Sequence, residues 1–294
     1  MRRAFIVLVS MVCHAWIRAS DGLRRRMGGG EPHPCIVLYY HGVTDRQAAA
    51  FRRQMQWLAS HAAVGPLAET IEPGVANRVC ITFDDAFDNL RRNVLPVLRE
   101  YGLPATIFAV SRNLGRTPQW RMDRGDADAG EAVVSEAALR EIAADPLFEI
   151  GSHTQTHSHA SSLGDAELHR ELAGSKADLE AILGRPVESL SLPYGDCPDW
   201  AARTARDAGY ERMVTCARIA TGAGEDPMRI GRFKVTPDDW PMEFRLKAKG
   251  AYGWIGRVRG ERSGSVVRRL HFSEASGSPR QSQRGAPAEN RKIA

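Results

Sequence analysis

From residue 35 to residue 255 the chain alternates between short apolar runs and longer segments whose apolar residues recur every three or four positions. A short apolar run bounded by turn residues reads as a buried strand, and the three-to-four spacing as the inward side of a helix. The pattern predicts strands at 35–40, 79–83, 104–110, 147–150, 189–192, 212–216 and 228–235. It predicts a helix at 47–60, where Phe51, Met55 and Leu58 share a side, and another at 89–101 through Leu90, Val94, Leu95 and Leu98, blemished by Pro96. A further helix runs from a Ser135 cap to about residue 144. One at 164–183 has Asp165 as its cap and Leu168, Leu172, Leu179 and Leu183 on one side, and others follow at 198–209 and 240–255. Strand followed by helix, about seven times over, indicates a parallel α/β sheet or barrel.

The segments between and beyond these elements divide the chain. Residues 27–34 are dense in Gly and Pro and read as a linker. Residues 115–131 lack periodicity and read as a surface loop of the kind that often faces substrate. From 259 to 294 the chain is rich in Ser, Gly, Arg, Gln and Pro, the composition of a disordered basic tail. One domain, 35–258, lies between.

Charge changes this picture only once it is divided. The 294 residues carry a formal charge of +5. Residues 1–26 hold six Arg and one Asp, and residues 257–294 hold nine Lys or Arg and three Glu, so the body between them is net −6. An acidic body between basic ends speaks against a nucleic-acid partner. With 43% hydrophobic and 26% charged residues, a mainly disordered chain and a polytopic membrane protein are both excluded.

At the N-terminus, Arg2 and Arg3 precede an apolar stretch that reaches Ile17, as in a secretory leader. The stretch is shorter than the ~20 residues that span a bilayer. It also reads as a membrane-surface helix, with Phe5, Leu8, Val12 and Trp16 at helical spacing and Arg18, Arg24, Arg25 and Arg26 to meet anionic lipid. Residues 1–26 are therefore expected to be a signal-like or membrane-associated leader. Its presence points to a membrane-associated or cell-envelope location rather than free cytoplasm. Helix 240–255, with Trp240, Phe244, Tyr252, Arg245, Lys247 and Lys249, either closes the domain or lies on the same surface. Of the five Cys, none forms a CxxC pair, which argues against a Cys-based zinc site. Cys35 and Cys80 read as small buried hydrophobes.

Side chains that do chemistry in parallel α/β folds gather at the carboxyl ends of strands. Four such ends are unusually polar: Tyr40-His41-Gly42, Thr82-Phe83-Asp84-Asp85, His153-Thr154-Gln155-Thr156-His157 and Pro193-Tyr194-Gly195. In a closed sheet all four face one mouth. His153 and His157 are spaced to share a divalent metal, and two imidazoles with one carboxylate leave positions open for water and substrate. Of the adjacent acids Asp84 and Asp85, one is suited to bind the metal while its neighbour accepts a proton.

These segments, with Leu192-Pro193-Tyr194-Gly195 and the strand at Gly102–Phe108, resemble the successive motifs of the NodB-type polysaccharide deacetylases, carbohydrate esterase family 4. Tyr39-Tyr40-His41-Gly42-Val43 is similar to the exopolysaccharide subgroup. The resemblance implies a deformed (β/α) barrel and metal-dependent removal of acetyl groups from N-acetylated sugars. It implies Asp84 as catalytic base and Asp85, His153 and His157 as metal ligands. Pro193 and Tyr194 become the substrate-groove wall, with the Tyr194 backbone N–H toward the oxyanion. Zinc is the default for such a ligand set; Co²⁺, Ni²⁺ and Mn²⁺ stay open.

The sequence departs from the family pattern in three places. Ser191 stands where the third motif usually begins with a base-orienting Arg, and Arg229 or Arg232 on the last strand is the candidate replacement, with an ordinary surface salt bridge as the alternative. No late Leu-x-His is present; the exopolysaccharide subgroup draws that His from the first strand, so the resemblance implies His41 in the acid role. Ala86 replaces the usual Gly, which matters only if that residue has positive φ. The departures keep two other classes open beside an N-deacetylase: a glycan-binding protein that does not cleave, and a metal-dependent amidase for a non-sugar substrate.

Overall fold

The computed structural model describes residues 2–26, 35–71, 78–122, 130–221 and 225–261. The linker at 27–34, the middle of the 115–131 loop and the tail from 262 lie outside the described residues. In chain order the elements are α1 (Arg2–Arg26), β1 (Ile36–Tyr40), α2 (Ala48–His61), β2 (Ala63–Val64), β3 (Arg78–Phe83), α3 (Asn89–Asn93), α4 (Leu95–Tyr101), β4 (Ala105–Ala109), α5 (Glu136–Ala143), β5 (Phe148–Ser152), α6 (Asp165–Leu183), β6 (Ser189–Ser191), α7 (Ala201–Asp207), β7 (Arg212–Val214), β8 (Arg232–Lys234), α8 (Pro241–Ala248) and α9 (Gly253–Val258).

All strand pairings are parallel, in the order β7-β6-β5-β4-β3-β1-β8, with the short β2 alongside β3. Val214 at the end of β7 bridges Ile230, just before β8, so seven strands nearly close into a barrel. Successive residues of a strand point to opposite sides. Ile36, Leu38 and Tyr40 of β1, Ile81 and Phe83 of β3 and Ile107 of β4 join the helices in the main apolar core. Val37, Cys80, Phe108, Val214 and Ile230 form a second, inner cluster. Parallel strands covered on both sides need apolar residues at nearly every position, which is why they read as continuous apolar runs. Cys35 and Cys80 are buried and unbonded to one another, as small hydrophobes.

Four elements differ from their sequence expectation. The 89–101 helix is two helices broken at Val94, because Pro96 has no N–H to give to the preceding turn. The 240–255 helix is also two, with Gly250 left-handed at φ 68° between them. Gly164, not Asp165, caps α6: Glu167 Oε2 accepts from the Gly164 N–H at 3.0 Å, while Asp165 holds Thr204 Oγ1 at 2.5 Å and Arg203 at 2.7 Å. The 228–235 run is a strand only at Arg232–Lys234, since Pro227–Arg229 forms a 3₁₀ turn. The packed body also reaches residue 261, where the buried Glu261 bonds Arg218 Nη1 at 2.7 Å.

Candidate metal and catalytic site

The strand ends converge as parallel closure requires. Asp84 and Asp85 follow β3, His153 follows β5, Ser191 ends β6, and Arg232 opens β8. Asp84 continues the β3 ladder, its N–H donating to the Tyr40 carbonyl at 2.9 Å. The chain then turns sharply, with φ of 69° at Asp85 and 50° at Ala86, so that two adjacent acids reach one site. Ala86 therefore does carry the left-handed cost of about 1–2 kcal/mol that Gly would avoid, offset in part by burial of its methyl group, worth ~0.8 kcal/mol.

Asp85 Oδ1 lies 3.5 Å from His153 Nε2 and 3.2 Å from His157 Nε2. The three side chains are buried, and their ligand atoms all lie within 4.8 Å of one another. Asp85 Oδ1 is buried without a hydrogen-bond partner. A desolvated, orphaned carboxylate oxygen facing two imidazole nitrogens is what a divalent cation would satisfy, and the donor set fits one. His153 Nδ1–H donates to the Ser191 carbonyl at 2.7 Å, which leaves the Nε2 lone pair directed at Asp85. Burial pushes the His153 imidazole down to about 4, against the pull of Asp84 and Asp85, so it is neutral and able to ligate near pH 7. Burial would raise the Asp85 carboxyl, but the His157 contact and the charges of His153 and His41 bring it below its usual range.

Asp84 has a different partner. Arg232 is fully buried and crosses the barrel interior, with Nη1 donating to Asp84 Oδ1 at 2.8 Å and Nη2 to Asp84 Oδ2 at 3.0 Å. Nη1 also donates to Thr82 Oγ1 at 3.2 Å, Nη2 to Ser191 Oγ at 2.9 Å, and Nε to the Thr215 carbonyl at 3.2 Å. The guanidinium lies over the Tyr39 ring, 4.5 Å from its centroid. Burial would raise the Asp84 carboxyl; Arg232 and His153 together hold it well below the usual carboxylate range. The surface salt bridge weighed from sequence is thus absent at Arg232. Arg229 sits instead in the turn before β8, beside Asp226. Ser191, in the motif-Arg position, is small enough to leave room for a guanidinium arriving from β8.

The 153–157 segment is strained, with φ of 66° at Thr154 and 60° at His157. It is held from α6. Glu171 Oε2 accepts from the Gln155 and Thr156 N–H groups at 3.1 Å each, and Oε1 from Thr156 Oγ1 at 3.0 Å. Ser152 Oγ accepts from the Thr154 N–H at 3.2 Å, and Thr154 Oγ1 from the His157 N–H at 3.1 Å. The His157 ring stacks on Trp120 at 4.3 Å and meets the edge of Tyr194 at 4.7 Å. Ser152 lies within the 151–157 motif itself, whereas Glu171 carries no local motif, and only the packing of α6 reveals it. Trp120 thus lies against a candidate ligand. Glu171→Ala is expected to weaken metal affinity by about 10–100-fold and stability by about 1–3 kcal/mol. Glu171→Gln, which keeps one acceptor, should lie between. Zinc titration calorimetry and urea unfolding measure the two; unchanged affinity in Glu171→Ala would show that the loop holds itself.

Around this centre, His41 is half-buried at the end of β1, where its charge acts on both Asp84 and Asp85. Pro193 is buried, and Tyr194 is half-buried in a left-handed conformation at φ 60°. Burial raises the Tyr194 phenol, and the Asp85 charge adds to this. The arrangement thus presents a cation site, an ionised carboxylate fixed beside it, a histidine and an aromatic wall at one mouth.

The profile of the polysaccharide deacetylase family matches residues 72–213. A poly-β-1,6-N-acetyl-D-glucosamine N-deacetylase of Staphylococcus epidermidis is 27% identical over 213 residues, 67% of this chain and 69% of that protein. A peptidoglycan-N-acetylglucosamine deacetylase of Bacillus cereus is 28% identical over 46% of this chain and 55% of its own length. Among solved structures, the Streptococcus pyogenes deacetylase PplD superposes with a TM-score of 0.61 at 18% identity, covering 74% of this chain and 99% of PplD. IcaB from Ammonifex degensii gives 0.58 at 23% identity, covering 74% and 97%. At these identities the two superpositions show a shared fold.

Proposed function

We propose that this chain, whose residues 72–213 match the polysaccharide deacetylase model, is a member of that family that removes N-acetyl groups from an amino-sugar polymer of the exopolysaccharide or cell-envelope kind, with a divalent metal held by Asp85, His153 and His157. The observation that carries the reading is the pairing of that buried triad with a second carboxylate, Asp84, kept ionised by Arg232. When bound, the metal supplies positive charge that polarises the acetyl carbonyl and acidifies water, and zinc suits the ligand set.

The chain's own residues supply the remaining steps. Asp84 takes the proton from the attacking water, and Arg232 fixes the direction of its lone pairs. The Tyr194 backbone N–H faces the oxyanion as the amide carbon becomes tetrahedral. His41 delivers a proton to the departing amine as the C–N bond breaks, which leaves acetate and a free amino sugar. Pro193, Tyr194 and Trp120 form the walls against which a sugar ring would lie.

Acetate release from β-1,6-linked and β-1,4-linked N-acetylglucosamine oligomers, and from peptidoglycan, tests the reading. Release is expected from at least one, with loss after chelation and return on adding Zn²⁺ or Co²⁺. Full activity in chelated protein would overturn the metal assignment. Release from none, with release from a non-sugar acetamide, would move the substrate outside the glycans.

A further inference from the structure

Helix α1 has two unlike long sides. One packs on the domain: Val7 and Ser10 are buried, Arg3 Nε donates to Glu243 Oε2 at 2.7 Å, and Trp254 Nε1 donates to Ser10 Oγ at 2.9 Å. Arg3 Nη2 donates to the Asp238 carbonyl at 2.7 Å, and its guanidinium covers the Trp240 ring at 4.7 Å. The opposite side is apolar and faces outward, with Phe5 64%, Leu8 59%, Val12 63% and Trp16 70% exposed. At 3.6 residues per turn these four fall within an arc of roughly 80°. Among the described residues, five of the eight large exposed hydrophobic side chains are on α1, and a sixth, Trp240, lies under its Arg3. An apolar stripe of that length in water signals a covering surface.

No helix of the described residues is long and apolar enough to cross a membrane, and the inner side of α1 is already committed to α8 and α9. Charge selects what covers the outer side. Six Arg against one Asp lie in residues 1–26, and nine basic against three acidic residues lie in 257–294, while the body is net negative. Two-fold pairing of α1 with a second copy, parallel or antiparallel, would set one Arg-rich end of the segment against another. An anionic bilayer attracts those ends and accepts the stripe at its headgroup boundary.

We propose that α1 is a membrane-surface helix docked on its own catalytic domain, seating it on anionic lipid through Phe5, Leu8, Val12 and Trp16. Its Arg3 end meets the start of α8, which leaves the sheet beyond the carboxyl end of β8. That is the end that carries the candidate site, so the helix holds the mouth close to the bilayer.

The full chain is tested against vesicles of phosphatidylcholine alone and with about 30% phosphatidylglycerol. Sedimentation with the anionic vesicles is expected, weakened by salt, with a blue shift in emission that Trp16→Phe removes. Replacing Phe5, Leu8, Val12 and Trp16 together by Ser should lower binding by at least about tenfold, given the apolar area withdrawn. The urea midpoint should hold, since those side chains face away from the domain. Failure to bind, equal binding to both vesicles, equal binding by the four-Ser variant, or a dimer that this variant dissolves would each overturn the proposal. None of these readouts depends on deacetylase activity.

Discussion

Arg232→Met is expected to lose about 3–5 kcal/mol of stability, the cost of leaving a buried charge without its partner. Turnover is expected to fall by about 10²–10⁴, the range that a positioned proton acceptor contributes. The prediction follows from how completely the guanidinium is used. All five of its N–H donors find acceptors: two on Asp84, and one each on Thr82, Ser191 and the Thr215 carbonyl. Met replaces the aliphatic stem but supplies neither charge nor donors, so Asp84 stays buried without its cation and its carboxyl shifts upward. Arg232→Lys should recover only part of either loss, because an ammonium cannot form the bidentate fork. A double variant, Arg232→Ser with Ser191→Arg, returns the guanidinium to the family's usual strand and should regain most of the activity. Urea unfolding and initial rates of acetate release are the measurements. An Arg232→Met protein as stable and as fast as the parent would mean that Asp84 is neither ionised nor used.

Asp85→Asn should behave in the opposite way. Activity is expected to fall by about a thousandfold or more, the factor that several kcal/mol of lost charge stabilisation represents. Stability in chelator should change by less than about 1 kcal/mol. The asymmetry comes from partners: Asp84 is tied to a cation of the chain itself, whereas Asp85 Oδ1 has no hydrogen bond to lose. Metal should raise the melting temperature of the parent, because a ligand held only by the folded state stabilises it, and should fail to do so in Asp85→Asn. A metal-dependent rise that survives the substitution would place the ion elsewhere. Together the two variants separate a carboxylate that holds the fold and does chemistry from one reserved for the ion.

Much of the site was legible because parallel strands put it in short, contiguous stretches. Asp84-Asp85 and His153–His157 each follow a strand within a residue or two, so their motifs survive as local text. Arg232 was legible only as one of two candidates. Its distance of 148 residues from Asp84 leaves no spacing to read, and the alternation along β8 that turns it inward becomes decisive only once the barrel closes. Glu171 gave no signal at all, being one acid among several on an amphipathic helix. Helix boundaries failed where a single Pro or Gly broke a periodic pattern that the apolar side chains alone would have carried through.

The sequence by itself determined the class of fold and the division into an acidic body with basic ends, and it singled out Asp84, Asp85, His153 and His157 as candidate site residues. Periodicity, strand-end chemistry and charge are all local properties of a chain. Tertiary structure alone decided which arginine meets Asp84, what holds the strained histidine loop, and which side of α1 is left bare. Those depend on closure of the sheet and on which helix packs where, and both bring together residues that the chain keeps far apart.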